Sequence, residues 1–327
     1  MPTRVATYSG PMFTTVALDV ADLPRFTATS VFTAWGIDPY LFVGTVWVAG
    51  LYVLGVWVLH ERGVHWPLGR SAAFLVGGVG SFYVATQSGI GAYDTTLLSV
   101  HMVQHMILSM VVPVFLALGA PVTLALRTLP HRPRGWLLAV LHSRVAKVLT
   151  FTPLAFALYV VSPWALYFTD WYTATLHSTY QHQMVHVHLV LVGSLFFWPL
   201  VGIDPLPGRV GYPFRMLAIF LTLPFHAFLG VTIMGQKELI GGDFYPALHQ
   251  TMAWLPDPAT DQNLAGGILW GSGDLMGVLF FAVLFSQWVR FSLKEARRED
   301  RRLDLLERRD AAAHPVVEPV ETPRPGG

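Results

Sequence analysis

Two short stretches carry residue types that can do chemistry. "HMVQH" spans residues 101–105 and "HQMVH" spans 182–186. Residues four apart share a helix face, so His101 with His105, and His182 with His186, each present two imidazoles together. Paired imidazoles are metal-ligand chemistry. Met102, Met106 and Met110 form a second stripe, offset by one residue from the first. The chain has no cysteine, so a thiolate site is excluded and any metal must rely on His, Met or carboxylate. Imidazole and thioether together suit copper, the thioether favouring the cuprous ion. His177, His188, His226 and His249 lie on neighbouring segments; His188, two residues past His186, faces elsewhere. Asp274, in "GSGDLMG", is a single acid in an apolar stretch. It either neutralises a metal or a protonated histidine, or hydrogen-bonds across glycine-faced helices. Packing explains a Met stripe, and an inter-helix hydrogen bond explains a lone membrane histidine. The two HxxxH pairs resist that account, because polar side chains are costly in lipid. Neither pair has the glutamate of HExxH; Met102 and Gln183 take its place, so a zinc peptidase would lack its general base.

The elements that position these residues are membrane helices. Of 327 residues, 53% are hydrophobic and only 13% charged, against about 25% charged in soluble domains. Seven stretches are long and apolar enough to span a bilayer: 40–59, 71–89, 97–125, 147–166, 184–202, 213–235 and 264–289. The third is over-long and contains Pro113, which predicts a kink and a short exit segment. Eighteen of the 21 Lys and Arg residues fall on one side of this arrangement. The positive-inside rule then predicts an extracytoplasmic N-terminus and a cytoplasmic C-terminus. His60, His65, His131, His142 and His314 come out cytoplasmic; the other eight of the 13 histidines come out on the outer side, at one depth. The expected architecture is all-α: an outer arm over 1–38, a seven-helix membrane domain over 39–290, and a charged, partly disordered cytoplasmic tail over 291–327. "KEARREDRRLDLLERRD" in that tail is a mixed-charge helix candidate, and "HPVVEPVETPRPGG" is Pro-rich. No cleaved signal peptide is expected, and a net charge of +1 gives no reason to expect nucleic acid.

The segments "HMVQHMILSMVVPVFLALGAPVTLALR" (101–127), the 177–188 run, "LPFHAFLGVTIM" (223–234) and "DQNLAGGILW" (261–270) resemble the multi-span CtaG-like assembly factors of bacterial cytochrome c oxidase. The resemblance covers most of the membrane region. It implies a multi-pass protein of the bacterial cell membrane, without catalysis, that helps assemble a haem–copper oxidase. It further implies that copper is handled for oxidase subunit I, with an extracytoplasmic copper chaperone as a second partner beside the lipid bilayer. His101, His105, His177, His182, His186, His188, His226, Met102, Met106 and Asp274 are the metal-site residues expected on this reading. Three other classes compete. A membrane di-iron oxygenase also uses HxxxH boxes, but needs an HxxHH box, absent here, and faces the cytoplasm. A haem carrier could use His105 with His186 or His226. A copper or proton transporter could use Asp274 and His226 as a relay.

Overall fold

The computed structural model describes residues 23–208 and 210–313, so the Pro-rich segment from His314 lies outside the described residues. Every regular element among them is helical. Among the described residues six helices are long and apolar enough to cross a membrane, and a bent pair makes a seventh if its two helices count as one span. In chain order they are α1 (Pro39–Glu61), α2 (Leu68–Tyr93), α3 (Leu98–Thr128), the bent pair α4 (Thr152–Tyr167) and α5 (Asp170–Leu176), α6 (Thr179–Val201), α7 (Tyr212–Gly235) and α8 (Pro258–Ala313). Large apolar side chains such as Trp47, Leu51, Trp57, Phe220 and Leu279 remain exposed along them. Such a surface fits a multi-pass membrane protein, whose outer shell faces hydrocarbon.

Local chemistry sets the ends. Asp38 caps α1, its carboxylate accepting from the amides of Tyr40 and Leu41 at 2.9 Å each, with Pro39 at the first helical position. Ser178 caps α6, which ends at Gly202 in the left-handed conformation (φ 66°). The kink expected at Pro113 takes the form of a π-helical turn over Ile107–Val111, just ahead of the proline. Proline cannot donate to the carbonyl of Ser109, and the wider turn absorbs the mismatch. The exit segment is Pro121–Thr128, set off by Ala120 at φ 52°. The fourth crossing starts at Thr152 rather than 147, because residues 144–149 form their own short helix bearing Arg144 and Lys147. It then bends by 66° between α4 and α5. α8 does not stop at Arg290: nothing from 290 to 313 is Gly or Pro, and the helix runs on through the mixed-charge segment.

Two close approaches fix the bundle. A Cβ added at Gly193 of α6 would lie 2.2 Å from the Ser109 carbonyl oxygen of α3. Gly230 of α7 and Gly266 of α8 each sit against the other's carbonyl, 2.6 Å from an added Cβ. Small residues at such crossings let membrane helices pack by backbone contact. Residues 23–38 lie against the bundle end: Tyr93 donates to the Pro24 carbonyl at 2.7 Å and Trp254 to the Leu23 carbonyl at 3.1 Å.

Candidate metal centre

The start of α3, the start of α6, the end of α4 and the turn between α2 and α3 meet at one end of the bundle. Asp94 stands in that turn, 3% exposed. Its Oδ2 accepts from His182 Nε2 at 2.9 Å and from Gln104 Nε2 at 2.7 Å, and lies 3.4 Å from His186 Nε2. One ligand atom from each of Asp94, His182 and His186 lies within 4.8 Å of the others, and all three residues are buried. Burial alone would raise the Asp94 carboxyl; the charge and hydrogen bond of His182, with the hydrogen bond of His186, win and hold it well below the usual carboxylate range.

Gln104 organises the group. Its amide nitrogen donates to Asp94 and to the Ala85 carbonyl at 2.9 Å, and its oxygen accepts from His186 Nε2 at 2.9 Å. The HxxxH face of α6 thus points at the acid, and the residue just before His105 braces both. His101 and His105 meet the hydroxyl of Tyr167, at 3.1 Å from Nε2 of the first and 2.7 Å from Nδ1 of the second. The ring of His101 lies 6.0 Å from that of His182, and the rings of His182 and His186 are 4.6 Å apart. The Nδ1 atoms of His101, His182 and His186 are buried without a hydrogen-bond partner. Buried polar atoms are normally paired, because an unpaired one costs about 1–3 kcal/mol. A metal lying between Asp94 and the two imidazoles of α6 would take Nε2 of each and replace the hydrogen bonds now made there, leaving Nδ1 outside its coordination.

The remaining sequence candidates spread out. His188 faces away from His186, as its spacing predicts, and bonds Ser162 at 2.6 Å. His177 is exposed and packs its ring on Phe244, 5.7 Å away. His226 on α7 is buried, donates Nδ1–H to the Thr222 carbonyl at 3.0 Å, and shares a small cavity with His105. Asp274 accepts from Trp270 at 2.9 Å through one oxygen; the other is buried without a partner. Met102, Met106 and Met110 are all buried in the apolar core. Sequence reasoning passed over Asp94, Gln104 and Tyr167. Asp94 carried a signal, as an acid in the short turn between two spans. So did Gln104, as the polar residue inside the "HMVQH" box. The cavity between His105 and His226 measures about 10 Å³, which leaves no room for a haem between them.

Fold and site together define a helical membrane protein with a buried carboxylate–imidazole cluster at one end of its bundle. Over residues 50–291 the chain matches the family described as cytochrome c oxidase caa3 assembly factor, and it belongs to that family. It is similar to uncharacterised proteins of Mycobacterium bovis and Mycobacterium tuberculosis, each 38% identical over 314 residues, covering 92% of this chain and 47% of theirs. A Mycobacterium leprae protein is 37% identical over 281 residues, covering 84% of this chain and 42% of its own. The chain therefore spans about half the length of the curated relatives it matches. No solved structure matches it.

Proposed function

We propose that the protein assists assembly of a respiratory haem–copper oxidase by holding copper at Asp94, His182 and His186, with His101 as a fourth donor, and passing it to oxidase subunit I. The observation that carries this is the buried Asp94–His182–His186 triangle, with one ligand atom of each within 4.8 Å of the others. Imidazole and carboxylate form a harder donor set than the His–Met combination suggested by the sequence. They favour the cupric ion, for which the anionic carboxylate offsets part of the charge. The role is delivery rather than catalysis: histidine ligands on donor and acceptor permit ligand exchange without a chemical step. The Lys/Arg asymmetry supports an extracytoplasmic position for the cluster, where a copper chaperone would load it, with the tail of α8 in the cytoplasm. On this reading residues 39–290 are one membrane domain.

The test is deletion of the gene followed by metal and haem analysis of the remaining oxidase. The expected oxidase keeps its haem, lacks copper and is inactive, and excess copper in the medium partly restores it by mass action. A fully copper-loaded, active oxidase in the deletion strain overturns the reading. A reporter active only outside the cytoplasm should work when fused within 177–178 and fail after Arg302; the reverse pattern overturns the outward placement.

A further inference from the structure

At the same end of the bundle as the Asp94 cluster, a groove of about 490 Å³ lies between α3, α8 and the segment before α1. Sites for small organic ligands typically measure about 300–1,000 Å³. The floor is apolar, with Ile90, Leu97 and Val100 buried in it. Leu264 of α8 is exposed and forms an open lip on the outer surface of the bundle. Along α8 the lining runs from Asp261 to Ile268, a rise of about 10 Å at 1.5 Å per residue.

The polar groups in the wall are not equivalent. Asp261 accepts from the hydroxyl and the amide of Ser99, so its carboxylate is spent on the start of α3. Trp254 spends its indole N–H on the Leu23 carbonyl. Arg25 is exposed, and among the described residues its guanidinium has neither a hydrogen bond nor an ion pair. Its place is nonetheless fixed, because the residues on either side of it are held by Tyr93. The Tyr93 hydroxyl donates to the Pro24 carbonyl at 2.7 Å, and the ring of Phe26 packs edge-on against that of Tyr93, 5.1 Å away. The groove thus joins one uncommitted cation to an apolar channel that opens sideways.

We propose that this groove binds an anionic phospholipid, its phosphate on Arg25 and the upper part of one acyl chain along Val100, Val103 and Leu264. A guanidinium fork matches two phosphate oxygens. The acyl chain covers the apolar floor, to which inorganic phosphate has nothing to offer. Trp254 in the wall suits the headgroup level, where aromatic side chains with one polar atom collect. A spanning helix of a partner is a poor fit, because it needs a seat about 30 Å long. The proposal stands apart from the metal reading, since none of Asp94, His101, His182 and His186 lines the groove.

The test titrates the purified full-length chain in detergent with phosphatidylglycerol or phosphatidylcholine of identical chains, read by native mass spectrometry. One phosphatidylglycerol should be retained per protein, about fivefold more tightly than phosphatidylcholine, the increment expected of one cation near a lipid phosphate. Arg25→Gln should remove that preference. Leu264→Trp places bulk across the lip and should weaken both lipids; Leu264 is exposed, so the fold survives, which an unchanged melting temperature checks. Excess inorganic phosphate should not displace the lipid. An unchanged preference in Arg25→Gln overturns the headgroup assignment, and unchanged retention in Leu264→Trp overturns the groove. Displacement by phosphate reduces Arg25 to a plain anion contact and also overturns the proposal. So does a lipid-free dimer that Leu264→Trp splits, which gives the groove to a second copy of the chain.

Discussion

Two buried aspartates mark the two ends of the bundle, and they are used differently. Asp204, 2% exposed, accepts from the amide and hydroxyl of Thr123 at 2.7 and 2.6 Å, from the Val122 amide at 3.3 Å and from Trp198 Nε1 at 3.0 Å. Its donors are the free amides of a helix start, one hydroxyl and one indole; it caps the Pro121–Thr128 segment and ties it to α6. Nearby, Arg215 donates to the carbonyls of Val210 and Leu200 at 2.7 and 3.1 Å. Asp94 is equally buried, but two of its partners are imidazoles, and each has a second nitrogen with no partner. A carboxylate among saturated donors is architecture. A carboxylate among half-satisfied imidazoles is the arrangement on which the proposed metal site rests.

Exchanging the roles of the two acids gives the largest effects. Asp94→Asn, or His182→Ala with His186→Ala, should reduce metal affinity by about 100-fold or more, since each removes a ligand or its orienting charge. Asp204→Asn should leave metal binding intact and lower stability by about 1–3 kcal/mol through lost helix-start hydrogen bonds. Metal titration and thermal unfolding of the same purified variants separate the two. Comparable loss of metal from Asp204→Asn would erase the distinction between the ends.

Gln104→Leu comes next, because it keeps every proposed ligand and deletes the brace between Asp94 and His186 together with the bond to the Ala85 carbonyl. A loss of about 10-fold in metal affinity is expected, as for outer-ring partners elsewhere. Gly193→Ala acts from further away. Its Cβ would meet the Ser109 carbonyl at 2.2 Å, forcing α6 away from α3 and moving both HxxxH faces. Overpacking of this kind costs about 1–3 kcal/mol, so a lowered melting temperature should accompany weaker metal binding. Normal stability with weak binding would show that Gly193 does not act through the helix crossing.

The difference between the ends also explains what the sequence could reveal. Helices and their apolar faces are periodic and local, so the crossings and both HxxxH faces were legible in the residues themselves. The departures are where backbone geometry intervenes: the start of the fourth crossing at Thr152, the 66° bend after Tyr167, and the run of α8 past Arg290. The bend matters most, since it ends α4 at the Tyr167 hydroxyl that joins His101 and His105. Asp94 and His182 are 88 residues apart in the chain and meet only because two helix ends meet. Spacing within a helix is readable; a contact between helices has no one-dimensional period. Asp38 illustrates the same point, as a cap of α1 that also receives the side chain of Gln183.

The smallest expected effect bears on the methionines. Met102 and Met106 follow the two histidines of α3 by one residue each, and the spacing alone leaves them open as copper ligands. In the fold both belong to the apolar core, at 0% and 4% exposure, among the buried side chains of α4, α6 and α7. The polar cluster at the same end is built by Asp94, Gln104 and the imidazoles, which already bond to one another. Leucine has nearly the volume of methionine and no sulfur, so Met106→Leu tests the thioether without opening a cavity. Such a swap in a packed core costs less than about 1.5 kcal/mol. If the methionines are packing residues, Met106→Leu and Met102→Leu leave both cupric and cuprous affinity unchanged within about twofold and shift the melting temperature only slightly. If the thioethers are ligands, cuprous affinity falls by tenfold or more while cupric affinity stays, and the soft-donor reading of the "HMVQHM" stretch returns.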